Sequence, residues 1–358
     1  MGYIRPSRQP HLPQQKIFSL KFTIFQSSSE NTMVQIAVAS ASNVGMQVIE
    51  ALLARKKHQI IVLYRSEIPA GSIQHPDLTY VKVNFQDKKQ LTDALRGVHT
   101  MLSFIIAHKD PGSVSQKNLI DAAIEAGVKR FAPSEWGCSN PEGIPWYAEK
   151  VVIRKYLEEV NKEKKVIEYS LFQCGHFADY LAFPHRTAKQ LLPLNMHYDF
   201  HNCRAIVVEG REHIDSISLI TVFDLANVVA EAIEYEGEWP VQGGVLGTTV
   251  TPAQILELGE KIRDRPFTVE KVTLEDLETG VVETSWVPLM THPAIPTDKV
   301  LPYSKSALQR TLIGMSKGAF TVGDGWNKLL PSYRFIPLEG FLYTVWAGES
   351  RKALSSTD

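Results

Sequence analysis

The segment Ala39-Ser40-Ala41-Ser42-Asn43-Val44-Gly45 joins an apolar run to a helical one. At such a crossing, backbone amides and a helix N-terminus can hold a pyrophosphate. A dinucleotide-binding turn of this spacing wants three glycines, and only Gly45 is one; Ala39 and Ser42 occupy the other two positions. Ser42 can cap the helix or donate its hydroxyl to a phosphate. Arg65 stands 20 residues beyond Gly45, where a carboxylate would hold an NAD ribose. An arginine there offers planar, bidentate donors to a 2′-phosphate instead, so the cofactor implied is NADP. Ala39, Ser40, Ser42, Asn43, Val44, Gly45 and Arg65 are its candidate contacts. His176 is a candidate acid or base, against the commoner role of a packed histidine. His197 and His201 are four apart with Cys203 nearby, but proline and aromatic neighbours oppose a helix and no metal is expected. Ser134 lacks the Gly-x-Ser-x-Gly setting of a hydrolase nucleophile.

The hydrophobic pattern names the scaffold that must deliver these groups. Strand-like runs fall at Gln35–Ala39, Gln59–Tyr64, Thr79–Asn84, Thr100–Ile105, Arg130–Pro133 and Ile167–Phe172. Each is short and almost continuously apolar, as a parallel strand buried on both faces should be. Helical windows alternate with them at Val44–Lys57, Gln90–Arg96, Gln116–Ala126 and Tyr147–Val160. Gly97 and Gly127 close two of these as C-terminal glycines. In the last window, Arg154 and Lys155 are assigned to the polar side. This alternation predicts an α/β fold: a doubly wound parallel sheet of the Rossmann, NADP-binding kind, with a second, smaller α/β substrate lobe. Phe104, ending the fourth strand, and Ser134, ending the fifth, should line the nicotinamide side. After Phe172 the regularity fades. Residues 173–214 read as loop-rich, and helices follow at Val222–Tyr235 and Pro252–Arg263. Residues Thr291–Trp346 read as irregular, punctuated by Pro293, Pro296, Pro302, Pro331 and Pro337. The expected division is a disordered extension over 1–32, a Rossmann domain over 33–175 and a substrate-binding lobe over 176–358, some of whose elements return to the sheet.

The fifth strand leads into Phe131-Ala132-Pro133-Ser134-Glu135-Trp136-Gly137 and then Trp146-Tyr147-Ala148-Glu149-Lys150. Further on come Lys150-Val-Val-Ile-Arg-Lys155, Phe172-Gln-Cys-Gly-His-Phe, Ile220-Thr-Val-Phe-Asp-Leu-Ala and Glu238-Trp-Pro before a glycine-rich strand. As a set, over about residues 33–346, these resemble the NmrA-like and isoflavone reductase-like branch of the atypical short-chain dehydrogenases. That branch includes plant phenylcoumaran benzylic ether and pinoresinol–lariciresinol reductases, and the details look most like fungal members. The resemblance implies an NADPH-dependent reductase with Lys150 as its catalytic residue beside the nicotinamide. It also implies a small aromatic or polyketide-type secondary metabolite as substrate. An ammonium at that position can polarise a carbonyl or assist proton transfer. The usual Tyr-x-x-x-Lys is not intact, since Trp146 stands four residues before Lys150. Tyr147, at three, still shares a helix face with it and can relay a proton. Two alternatives follow from the same resemblance: a non-catalytic, NADP-sensing transcriptional regulator, and a redox-silent isomerase or cyclase on the same scaffold.

Composition trims the possible partners. The 38 Lys+Arg and 39 Asp+Glu residues leave a formal net charge of −1, which offers no basic field to nucleic acid or an anionic membrane surface. Hydrophobic residues at 44% and charged residues at 22% are those of an ordinary globular chain. The three cysteines form no Cys-x-x-Cys pair, which suits a reducing compartment. No apolar run approaches the ~18–20 residues that span a bilayer. A small-molecule substrate, a monomer or homodimer, and a cytoplasmic location are therefore expected. Residues 1–32 read as a disordered extension or as an over-long start ahead of a functional Met33, since Pro6, Pro10 and Pro13 interrupt any amphipathic presequence.

Overall fold

A computed structural model of the chain describes residues 33–41, 43–68, 72–141, 144–291 and 295–355. The extension expected over 1–32, and Ser42, lie outside the described residues. The first half alternates strand and helix. Strand β1 (Gln35–Ala39) leads to α1 (Val44–Arg55), β2 (Gln59–Tyr64), β3 (Leu78–Lys82) and α2 (Lys88–Ala94). There follow β4 (Thr100–Ser103), α3 (Val114–Glu125), β5 (Arg130–Ala132), α4 (Ala148–Val160) and β6 (Glu168–Tyr169). The six strands form one parallel sheet in the order β3-β2-β1-β4-β5-β6. The order reverses between β1 and β4, so the crevice at their carboxyl ends is the topological switch point of a doubly wound fold. Alternate side chains of the central strands feed two apolar layers. Ile36 and Val38 join Val48, Ile49 and Leu52 of α1 on one face, while Ala37, Ala39 and Met101 join Leu119, Ile120 and Leu157 on the other. Burial on both faces is why these strands lack the alternation of a half-exposed sheet.

The second half is more ordered than its sequence suggests. Strands β7 (His176–Phe177), β8 (Tyr198–Asp199), β9 (Arg204–Val208) and β10 (Ile217–Ile220) precede helix α5 (Val222–Glu234). After β11 (Thr248–Val250) come α6 (Pro252–Arg263), β12 (Thr268–Val272) and α7 (Leu274–Thr279). Two three-stranded sheets result, ordered β11-β10-β7 and β12-β9-β8. Helix α5 returns to pack against α1, with Leu225, Val228 and Val229 in the same apolar layer as Val48 and Leu52.

The tail corrects the expectation of irregularity. It carries α8 (Val300–Ser316), α9 (Gly325–Leu329) and α10 (Leu338–Ser355). Pro302 sits in the first turn of α8, Pro331 follows the end of α9, and Pro337 precedes α10. Proline at these places costs a helix nothing, because a first-turn amide has no partner to lose. Leu342 and Trp346 of α10 are buried with Ile255 and Ile262 of α6. Likewise β9, Arg-Ala-Ile-Val-Val, lies inside the stretch expected to be loops. It is a short apolar run that only its partners β8 and β12 distinguish from a buried loop.

Candidate active site

At the crossing from β1 to α1 the chain takes two left-handed residues, Ser40 (φ 57°) and Asn43 (φ 42°). Successive amides in such turns form concavities suited to anions. Asn43 makes no side-chain bond to the first turn of α1. The Tyr64 hydroxyl donates to Ala41 O at 3.0 Å and steadies the loop. Gly45 is required by close approach: a Cβ built there would stand 3.0 Å from the Phe104 ring. Val44 packs at the edge of the α1 layer. Ala39, a candidate cofactor contact, turns its methyl group into the apolar layer under the sheet, and its carbonyl accepts the Phe104 N–H at 2.9 Å. The position thus neither plugs the crevice nor offers it a side chain. Arg65 follows β2 at the same edge, two residues past Leu63, the register partner of Ala39. It is exposed and borders an open groove of about 460 Å³ with Lys82, Val83, Asn84 and Gln90. Lys82 is ion-paired with Glu67.

The loop after β5 is held from α4. Glu135 is buried, and Arg154 grips its carboxylate in a bidentate pair, Nε to Oε1 at 3.0 Å and Nη2 to Oε2 at 2.5 Å. The same guanidinium donates to Ser139 O at 2.8 Å. Arg154, assigned by the sequence to the polar face, is therefore a half-buried anchor. Its spacing of four residues from Lys150 puts both on one face of α4. Lys150 is buried and its Nζ donates to Glu135 O. Burial pushes the Lys150 ammonium below the usual lysine range, opposed by the Glu135 charge. Tyr147 does not belong to α4 but ends a tight turn just before it. The ammonium lies under the face of its ring, 4.2 Å from the centroid. Burial raises the Tyr147 phenol above its ordinary value. Ser134 gives its backbone N–H to Gln116 Oε1 at 2.7 Å.

In front of Tyr147 opens a cavity of about 170 Å³. Trp136, Trp146, Tyr147, Phe177, Tyr180 and Phe320 make it largely aromatic. Phe104 stacks on Trp136 at 4.4 Å and 10°, linking the cavity wall to the ring against Gly45. His176 reaches the cavity from β7 and meets Phe320 edge-on at 4.1 Å. Burial lowers its pKa to about 4, so near neutral pH the imidazole is uncharged. Cys174 is buried and burial raises its thiol to about 12, which leaves it unionised. Sequence reasoning missed Asn195 and the α8 residues Ser304, Ala307 and Thr311 and weighed His197 only as a metal ligand; all of them line this cavity.

The structure thus brings Tyr147, Lys150 and His176 around one cavity and puts Ser40, Asn43, Val44, Gly45, Phe104 and Arg65 along the adjoining strand edge. A doubly wound parallel sheet with a crevice beyond the carboxyl ends of its strands is the Rossmann-like class of α/β proteins. The model of the NmrA-like family matches residues 33–299, and the chain belongs to that family. Oxidoreductase BOA1 of Botryotinia fuckeliana is 34% identical over 160 residues, 42% of this chain and 51% of that protein. The chain thus spans about half the length of this relative. Oxidoreductase swnN of Metarhizium robertsii is 22% identical over 348 residues, 90% of this chain and 100% of that protein. Among solved structures, the Escherichia coli NADPH-dependent quinone oxidoreductase QOR2, complexed with NADPH, superposes with a TM-score of 0.63 at 20% identity. That match covers 87% of this chain and 99% of the other. Among the described residues, no helix is long and apolar enough to cross a membrane.

Proposed function

We propose that this chain is an NADPH-dependent reductase of a small aromatic or polyketide-type metabolite, with Lys150 and Tyr147 handling the proton. In this reading residues 33–175 hold the dinucleotide and residues 176–358 supply most of the substrate cavity. The observation that carries it is the buried Lys150 beneath the ring of half-buried Tyr147, which lines an aromatic cavity.

The residues present fit NADP. The left-handed Ser40 and Asn43, the first turn of α1 that the Asn43 side chain leaves uncapped, and Gly45 suit a pyrophosphate. The exposed Arg65 on its open groove suits a 2′-phosphate. When bound, the cofactor supplies a hydride from its nicotinamide ring. The chain's own groups do the rest. Aromatic walls exclude water from the reacting carbonyl. The Tyr147 phenol, which lines the cavity, gives its proton to the substrate oxygen. The Lys150 ammonium beneath the ring stabilises the phenolate left behind and so counters the effect of burial. Arg154, through Glu135, fixes the carbonyl that holds the amine. The swnN and BOA1 relatives are named oxidoreductases and QOR2 carries NADPH, which supports the same reading.

Calorimetric titration with NADPH and NADH is the direct test. NADPH is expected to bind more tightly, and Arg65→Ala to erase about ten- to hundredfold of that preference, the worth of one or two charge-assisted hydrogen bonds. Equal affinities in the native protein overturn the role of Arg65; no binding of either overturns the reductase. A protein that binds NADPH but oxidises it with none of a panel of single-ring ketones and quinones would fit the regulator reading, which the substituted glycine positions Ala39 and Ser42 favour.

A further inference from the structure

The cavity carries a phenol that the proposed proton transfer does not use. Tyr180 lines it from the single-turn helix Ala178–Ala182, which follows β7. Its hydroxyl makes no hydrogen bond to any described residue, yet it is not sealed in as the Ser103 hydroxyl is, and a water molecule can reach it. A donor left free on a half-buried cavity residue is open to an acceptor that enters the cavity.

The turn holds that donor still. Asp179, buried beside it in the chain, accepts from Thr187 Oγ1 at 2.6 Å and from the Val222 N–H at 2.8 Å, which ties the turn to the first residue of α5. Tyr180 O accepts the Phe183 N–H at 3.3 Å, and the Tyr180 ring meets Phe177 edge-on at 5.6 Å. A donor fixed in this way loses little freedom when a ligand binds. It is also a donor and not an acid. Burial, with the neighbouring Tyr147 adding to it, raises the Tyr180 phenol above its ordinary value, and among the described residues no Lys or Arg lines the cavity to offset that. Lys150 lies under the Tyr147 ring instead. Of the other hydroxyls on the wall, Ser304 already donates to Val300 O at 2.7 Å, and Tyr303 is 41% exposed, where water competes. Thr311 is the remaining rival.

From these observations we infer that Tyr180 selects the substrate by donating a hydrogen bond to an acceptor oxygen other than the one Tyr147 protonates. The inference rests on the reading of this cavity as the substrate site, and it deepens that reading. The ligand it describes is an aromatic ketone or quinone with a second oxygen, carried as a ring ether or a further carbonyl. No bond is made or broken at Tyr180; the group is held and oriented.

The test uses the full chain without cofactor, so that its failure is separate from a failure of the reductase reading, which the NADPH titration decides. The probes are para-methoxyacetophenone and para-ethylacetophenone, which differ by an ether oxygen in place of a methylene, and their meta isomers. They are titrated at neutral pH by ligand-observed NMR, with competition within each pair to establish a shared site. In one isomer series the methoxy compound is expected to bind about three- to tenfold more tightly than the ethyl compound, the value of one hydrogen bond between neutral groups. Tyr180→Phe should bring that ratio toward one and leave the affinity for the ethyl compound within about twofold of native. Its melting temperature should hold, because the hydroxyl has no partner among the described residues to lose, whereas a merely structural tyrosine would lower it. Tyr147→Phe should weaken both compounds and preserve the ratio, and Thr311→Val should preserve it as well. A native ratio of one in both series, or no saturable binding in the millimolar range, would overturn the inference. So would a ratio that survives Tyr180→Phe, one that collapses in Thr311→Val or Tyr147→Phe, or equal weakening of both compounds in Tyr180→Phe.

Discussion

Lys150 is a buried cation whose one hydrogen bond goes to a backbone carbonyl, and that makes it separable from the fold. Lys150→Met keeps the length of the side chain and removes the charge, so the protein should remain folded. NADPH oxidation should fall by about 10²–10⁴, the range for a group that assists proton transfer. Cofactor affinity measured by calorimetry should change far less. Activity within a few-fold of the native value would remove Lys150 from the mechanism. His197 allows a second prediction. Its pKa is about 3 in the fold against an ordinary value of 6.5, so between those values the unfolded chain takes up a proton that the folded chain refuses. Stability therefore falls as pH falls through that window. The urea midpoint of the native chain should drop from about pH 7 to about pH 5 by more than that of His197→Leu. Parallel curves would show that the imidazole is not desolvated.

Helix α4 acts as a clamp on the loop after β5, because Arg154 is the counter-charge of a carboxylate with a side chain 1% exposed. Arg154→Met leaves Glu135 buried and unpaired, at a cost of about 3–5 kcal/mol, and loosens the carbonyl that holds Lys150. Denaturant unfolding should show the loss, and Glu135→Gln combined with Arg154→Met should recover part of it. Elements of this kind were unevenly legible. Gln35–Ala39 and Gln59–Tyr64 could be bounded to the residue because continuous apolar runs end there in polar or turn-forming neighbours. Tyr147, Lys150 and His176 carried recognisable local patterns. Arg154 showed only a helix position, and its partner, 19 residues back, is fixed by packing. Asn195 had no local signal, and the spacing of His197 from His201 pointed toward a metal rather than the cavity, since a histidine's burial against a distant wall is a tertiary fact. The tail was misread because its prolines punctuate helices from their ends, whereas composition alone reports only that prolines are there.

Across the whole molecule, the cavity wall runs past the end of the stretch that matches the family. The crossing, Arg65 and the Lys150 pair lie within the stretch that matches the family, residues 33–299. Helix α8 begins at Val300 and supplies Tyr303, Ser304, Ala307, Leu308 and Thr311 to the cavity wall. In the proposed function, α8 touches the substrate cavity and none of the dinucleotide contacts. Ala307→Phe adds a ring toward a cavity of about 170 Å³ and should lower NADPH oxidation with any active ketone or quinone of the panel by about tenfold or more. Its NADPH affinity should stay within about twofold of native, because α8 contributes none of the proposed dinucleotide contacts. Loss of both together would mean that the helix supports the strand edge as well.

The placing of the indoles has a practical consequence. Trp239, Trp326 and Trp346 are sealed in the interior, while Trp136 and Trp146 face the cavity. Filling that space replaces water beside two chromophores and leaves the sealed three undisturbed. The colour and yield of the protein's own ultraviolet emission should therefore gauge occupancy, and an unlabelled compound library could be screened for the natural substrate by light alone.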